Sequence, residues 1–338
     1  MPAASAVPAA PAASSVVVVV TSTTTTIPPA RVNPGTSVEP IKKALQTTIP
    51  TPSYPAASLE LKVFNALNNE RATCGVGLQS QSPILDLAAA KHAEYMKLRW
   101  EEGGDSAHTE EPSKSGFYGV SPNDRAVTAG YQGRASGETI SFEYVYPNYD
   151  VGDRLARNLL DTIYHLALVF GTQLDVGVGI SIANRTGLPP LASMIWDQGS
   201  PKPAPGYAWG QYPSTAVLTY PCDGTTGVKT KFTGESPNPF EGVAMGIYTA
   251  LGHPIYVFSP SEAPVMVTSA DITAAGGSAI HNFIYTSASD PQKKVKASQV
   301  FVVPLTALQV GTKYTVQVRG SVGGVPFATA FQFTTGSY

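Results

Sequence analysis

The sequence has little charge, little cysteine and no long apolar run. Only 14% of its 338 residues are charged, and a net charge of −2 gives no basic surface for nucleic acid. The longest apolar runs, such as Val16 to Val20, are far shorter than the roughly 20 residues that a membrane-spanning helix needs. We therefore expect neither a nucleic-acid partner nor a transmembrane segment.

The composition is typical of an extracellular protein. The chain is 43% hydrophobic and contains 31 glycines and 29 prolines. Met1 is followed by an Ala/Pro/Ser stretch that lacks the basic start and the long apolar core of a signal peptide. We expect Met1 to stand in place of a removed export signal, and the protein to be secreted or located at a bacterial cell surface.

Two cysteines are present, Cys74 and Cys222. In a secreted protein an even pair favours one disulfide. The alternative is a pair of buried free thiols, as in a cytosolic protein.

The first 55 residues have the character of an arm. Within it, residues 16–27 (VVVVVTSTTTTI) are β-branched except for Ser22, which favours a strand over a helix. A long apolar strand without a partner is prone to aggregation, so we expect it to pair. Three roles stay open: a Thr-rich stalk, an edge strand within the chain, or a strand donated to a neighbouring copy for self-association.

Residues 56–222 combine helical and strand patterns. Apolar residues at helical spacing predict a first helix ending at Cys74, and Ser82-Pro83 predicts the start of a second. A third helix is predicted through residues 154–170 (RLARNLLDTIYHLALVF). The alternating runs 176–183 and 191–198 predict a β-hairpin.

Residues 223–338 change character. Short β-prone runs alternate there with Gly, Pro, Asn and Asp, which predicts a small antiparallel β-sandwich. Length and pattern together predict an α/β chain made of an arm (1–55), an α/β domain (56–222) and a β-sandwich domain (223–338).

The middle of the chain resembles the CAP superfamily of cysteine-rich secretory, antigen 5 and pathogenesis-related proteins, in its secreted bacterial form. The resemblance covers roughly residues 59–196. It rests on an ordered set of pieces: NNERATCG, LAAAKHAEYM, His108, SPNDRAVTAGY, Gly137-Glu138, His165 and the VGVG of residues 176–179. It implies an α-β-α layered domain. The C-terminal part more loosely resembles the fibronectin-like sandwich modules of bacterial surface proteins.

The resemblance also implies a polar cleft lined by two histidines and two acidic residues, which binds zinc or another divalent cation in some members. His108, Glu138 and His165 match three of these four positions. Asp161, one helical turn before His165, is the nearest carboxylate to the fourth. Glu138 could also orient a cleft histidine by a hydrogen bond, whereas we assign His92 to packing.

The sequence contains no GxSxG elbow, HExxH helix, glycine-rich phosphate loop or CxxC pair. An enzymatic role, such as that of a hydrolase, is therefore the less favoured interpretation. We expect a non-catalytic module that binds a divalent cation or a small polar ligand through His108, Glu138 and His165. The alternative is a structural subunit that polymerises into an extracellular filament by donating residues 16–27.

Overall fold

A computed structural model describes residues 41–104, 107–213, 216–241 and 251–337. Residues 40–338 form one compact unit. The strand expected at residues 16–27 lies outside the described residues. In the part of the chain that is described, no helix has the length and apolarity needed to cross a bilayer.

Serine side chains begin three of the helices. The Oγ atoms of Ser58, Ser82 and Ser121 each accept a hydrogen bond from a backbone N–H of the first turn, which satisfies a donor that the helix itself cannot pair. The start at Ser82 is where the sequence predicts it, and the first helix ends next to Cys74 as expected. The helices are α1 (Leu59–Thr73), α2 (Pro83–Glu101), α3 (Pro122–Ala129), α4 (Val151–Leu160) and α5 (Tyr164–Val169).

The predicted third helix is wrong as one continuous element. α4 ends at Leu160, and α5 begins at Tyr164. The break has a physical cause in the C-terminal half, because the Glu235 carboxylate accepts the backbone N–H groups of Ile163, Tyr164 and His165. A side chain about 70 residues away therefore replaces the carbonyls that a continuous helix would have offered.

A four-stranded sheet packs against α2. Its order is β2-β4-β5-β3, and the predicted hairpin of β4 and β5 is confirmed. The strands are β2 (Ser80–Gln81), β3 (Arg134–Tyr144), β4 (Asp175–Ala183) and β5 (Leu191–Ser200). Glycine allows close packing here, because a Cβ on Gly177 or Gly179 would lie 2.1 or 2.2 Å from the α2 backbone.

The C-terminal strands form two further sheets, as the spacing of the β-prone runs predicts. One has the order β11-β10-β14-β15-β8 and the other β12-β13-β9-β7. The strands are β7 (Leu218–Tyr220), β8 (Thr225–Val228), β9 (Ile255–Phe258), β10 (Val265–Ala274), β11 (Ala279–Ile280), β12 (Asn282–Thr286), β13 (Gln299–Pro304), β14 (Lys313–Val322) and β15 (Val325–Thr335). β7 already belongs to this half, a few residues before the boundary drawn from sequence.

The four-stranded C-terminal sheet is buried on both faces. Along β9 and β13, Val257 and Val300 pack in a core shared with the five-stranded sheet, whereas Tyr256 and Phe301 pack in a core shared with the helices. This alternation explains why β9 and β13 are continuous apolar runs. The helical half and the C-terminal half therefore share one hydrophobic core.

Two further connections complete the unit. The disulfide between Cys74 and Cys222 is present and joins the end of α1 to the residues after β7. Residues 41–55, assigned to the arm from sequence, are instead bound to the unit: β1 (Ile41–Lys43) pairs with β6 (Tyr207–Gln211), and Tyr54 donates a 2.5 Å hydrogen bond to Asp86.

Candidate functional site

His108, Glu138 and His165 lie together at one end of a cleft of about 490 Å³. The ring centres of the two histidines are 6.2 Å apart, and Nδ1 of His108 is 2.8 Å from Oε1 of Glu138. The three residues come from different elements: the loop after α2, strand β3 and helix α5. The convergence expected from sequence is therefore present, with the carboxylate directly against one of the rings.

Glu138 holds His108. Burial by itself would raise the pKa of Glu138, but the hydrogen bond with His108 and the positive charges around it hold that pKa below its usual range. One such charge is the guanidinium of Arg125, whose Nη2 donates to Oε2 of Glu138 at 2.5 Å. Because an ionised carboxylate only accepts hydrogen bonds, Nδ1 of His108 is the donor. In the neutral form of the ring, Nε2 then keeps its lone pair.

His92 belongs to the same network, although the sequence assigns it to packing. It is fully buried, with Nδ1 2.8 Å from Oε1 of Glu110 and Nε2 3.8 Å from Oε1 of Glu138. Glu110 also accepts the backbone N–H of Tyr118 at 2.6 Å. His92 Nε2 is also 3.0 Å from the backbone oxygen of Ala107. These contacts fix the polypeptide on both sides of His108, so His92 and Glu110 support the site without lining the cleft.

Arg125 and its neighbour Asp124 have separate roles. Asp124 forms a reciprocal cap with Ser121 at the start of α3. Arg125 points away from that cap into the interior, where it is fully buried against Glu138. The run SPNDR therefore supplies a helix start and, directly after Asp124, one of the positive charges that keep Glu138 ionised.

Asp197 is a second buried carboxyl behind the site. It is paired with Glu138 in the register of β3 and β5. Burial, together with the nearby charge of Glu138, raises the pKa of Asp197 well above its usual range. Of these two carboxyls, Glu138 therefore carries the charge, and the neutral Asp197 adds no second one beside it.

His165 is held from the C-terminal half. Its side chain is 13% exposed, and Nδ1 is 3.5 Å from Oε2 of Glu235. Burial, followed by the nearby charge of His108, lowers the pKa of His165 to about 4. Burial likewise raises the pKa of Glu235 to about 7, against the opposing effect of three backbone N–H donors. His165 is therefore neutral at physiological pH, and it lies beside His108, whose side chain is 35% exposed.

Asp161 does not join this cleft. Sequence spacing places it on the face of His165, but the helix break separates the two residues. Its Oδ2 accepts from the Thr233 hydroxyl at 2.9 Å and lies 3.1 Å from Nζ of Lys229. Burial raises the pKa of Asp161 to about 6. Its contacts tie the end of α4 to the C-terminal half.

The described donors do not make a resident metal site. Within the described ranges, no group of three or more His, Cys, Asp or Glu side chains is placed to hold an ion. Both Glu138 oxygens are engaged by His108 and Arg125, which leaves two imidazoles as donors. Zinc sites in proteins usually take three or four protein ligands. A divalent cation here would have to be completed by water or by a second ligand.

No protein-family model matches the chain, and no curated protein matches it.

Proposed function

We propose that the chain is a secreted or cell-surface binding protein with a CAP-like helical half, and that its cleft binds a polar ligand through His108 and His165. The observation that carries the proposal is the fixed imidazole of His108. Its Nδ1 is occupied by Glu138, and its Nε2 has no hydrogen-bond partner among the described residues. An imidazole held through Nδ1, with the lone pair of its neutral form at Nε2 and the neutral His165 ring beside it, is a ready acceptor for a ligand or a cation.

A non-catalytic role fits these contacts better than hydrolysis does. Within the described residues, no serine, threonine or cysteine side chain is hydrogen-bonded to His108 or His165. Nucleophilic catalysis needs such a pairing between nucleophile and base. The disulfide supports the proposed extracellular location, because such bonds persist mainly in oxidising compartments.

Zinc chloride is a suitable probe of the imidazole pair. We expect calorimetric titration at pH 7.5 to show binding to the wild type that is lost or at least tenfold weaker in His108→Ala. His281→Ala is the matched control, because His281 is exposed and lies in the C-terminal half away from the cleft. Equal heats from wild type and His108→Ala would remove His108 from the proposed site.

A second proposal, a subunit of an extracellular filament, is favoured by the sequence of residues 16–27. That segment is almost entirely β-branched. Strand β12 ends the four-stranded C-terminal sheet and is one edge to which a donated strand could add. Electron microscopy of the full chain and of a chain lacking residues 1–30 tests this. Fibres that persist without the segment, or a full chain that stays monomeric, would refute it.

A further inference from the structure

The cleft also has basic lining residues. They come from the C-terminal half, and the loop between β12 and β13 brings Lys294 and Lys296 to the cleft that contains His108 and His165. The Lys294 ammonium is near enough to His165 to contribute to the lowered pKa of that ring, after burial and His108. Cationic and imidazole groups therefore face the same space from opposite halves of the chain.

A buried carboxylate fixes this loop. Asp290 is fully buried and accepts the backbone N–H groups of Lys294 at 2.6 Å and Val295 at 2.8 Å. The same carboxylate accepts the Tyr164 hydroxyl at 2.5 Å. Because Tyr164 immediately precedes His165, one anchor positions both the Lys294 backbone and the helix turn that carries the imidazole. The cleft is thus preorganised across the two halves.

The charges around the cleft leave Lys294 uncompensated. Lys296 pairs with Glu262 at 3.3 Å, and both of those side chains are largely exposed. Glu138 is engaged by Arg125 and His108. The remaining two carboxyls, Glu235 and Asp290, are occupied by backbone N–H donors. Across the described ranges, Lys294 has no carboxylate within ion-pair distance, so its ammonium is available to a bound anion.

Much of the remaining lining is apolar. The volume, about 490 Å³, is that of a small-molecule site. Besides the lysines, the histidines and some polar side chains such as Gln173 and Ser259, the cleft is lined by Val76, Leu168, Phe170, Tyr256, Phe258 and Pro260. An ion as small as free phosphate would leave these surfaces wet. A ligand with one anionic group and an apolar body would meet both kinds of wall.

We propose that the cleft binds a small organic anion, with its carboxylate or phosphate at Lys294 and the two histidines and its apolar body against the Phe170 and Phe258 walls. This inference rests on the proposed binding function and names the chemical class of its ligand. It also assigns a specificity-determining residue, Lys294, to the half of the chain that the CAP resemblance does not cover.

Three naphthalene probes separate the contribution of the anionic group to binding from that of the apolar body. 2-Naphthoate and 2-naphthyl phosphate carry the two candidate anionic groups, and 2-naphthol is the neutral analogue of similar size. Binding to the full chain is measured at pH 7.5 by calorimetry for the wild type, Lys294→Gln and Lys293→Gln. Lys293 is the matched control, because it is an exposed lysine directly before Lys294 and does not line the cleft.

We expect at least one anion to bind the wild type at least tenfold more tightly than naphthol does, and Lys294→Gln to weaken that anion about tenfold or more. Lys293→Gln should bind as the wild type does. The preferred anion identifies carboxylate or phosphate as the head group. Absence of anion binding, equal binding of naphthol, or equal effects of the two lysine variants would overturn the inference. Zinc titration of the wild type and His108→Ala without probe decides the proposed function separately.

Discussion

At the scale of single residues, buried carboxyls determine the charge of the cleft. Glu138 stays ionised because Arg125 and His108 surround it. Its carboxylate orients His108 by accepting a hydrogen bond from Nδ1 of that ring. Asp197 and Glu235 are buried as well, but burial raises the pKa of both. The site therefore presents imidazoles to a ligand in place of an acidic surface.

Glu235 gives a pH dependence of stability with a definite sign. The folded state raises its pKa from 4.5 to about 7, so the folded chain holds this proton more tightly than the unfolded chain does. Stability is therefore highest, as far as this group is concerned, below pH 4.5 and falls as pH rises through 7. Glu235→Gln mimics the protonated form and removes this loss. We expect the difference in Tm between the variant and the wild type to rise by several degrees from pH 5 to pH 8.

Thermal unfolding followed by circular dichroism at the two pH values measures this difference. The pKa shift of Glu235 limits the resulting pH-dependent change in the free energy of unfolding to about 3 kcal/mol. Glu262→Gln is the control, since the Glu262 side chain is largely exposed, and its difference from the wild type should stay nearly constant. A Glu235→Gln difference that is flat with pH would contradict the role given to Glu235.

Sequence reasoning identifies His108, Glu138 and His165, because each matches one position of a recognisable pattern. It does not identify Glu235, which lies 70 residues beyond His165 and contacts it only through the fold. His92 is buried, in keeping with its assignment to packing. Its partner Glu110 is not identified, because that residue comes from a loop without periodicity. Long-range polar contacts leave no regular spacing in a sequence.

At the scale of elements, α2 and β4 pack closely against each other. Gly177 and Gly179 let the strand approach the helix backbone, where a Cβ would lie 2.1 and 2.2 Å from backbone atoms of Leu85 and Ala89. This contact holds the sheet whose strand β3 carries Glu138. The capping residues and the alternating hairpin that build these elements are visible in sequence, whereas the closeness of their packing is not.

Gly179→Ala tests this packing. Backbone atoms at 2.2 Å cannot yield by a rotamer change, so the helix and sheet must separate. We expect a loss of about 1–3 kcal/mol or more in the free energy of unfolding, measured by urea denaturation. Gly104→Ala is the control, since its Cβ would meet only a carbonyl oxygen at 3.5 Å. Equal stability of the two variants would show that the close approach is absent.

At the scale of the whole molecule, the two halves depend on each other. Strands β9 and β13 supply side chains to both hydrophobic cores, and Glu235 and Asp290 bind the first turn of α5. The sequence predicts the individual C-terminal strands because turn residues separate them. The sequence also predicts a boundary between two domains where the structure has a shared core. The reason is that a continuous apolar run does not show which elements will pack against each of its two faces.

The disulfide should strengthen this unit. It closes a separation of 148 residues between Cys74 and Cys222, for which the chain-entropy model gives at most about 5 kcal/mol. We expect the Cys74→Ser/Cys222→Ser double variant to unfold at lower urea concentration, still in one transition because the core is shared. A variant as stable as the wild type, or separate transitions for the two halves, would contradict this description.

The central claim is that His108 and His165 act as one binding pair, and a double-mutant cycle tests it most directly. Zinc affinity at pH 7.5 is measured by calorimetry for the wild type, His108→Ala, His165→Ala and the variant with both changes. If both rings contact the same ion, each single variant loses at least about tenfold in affinity and the combined loss is clearly smaller than the product of the two. A combined loss equal to the product of the two single losses, or an unchanged affinity in either single variant, would contradict a shared site.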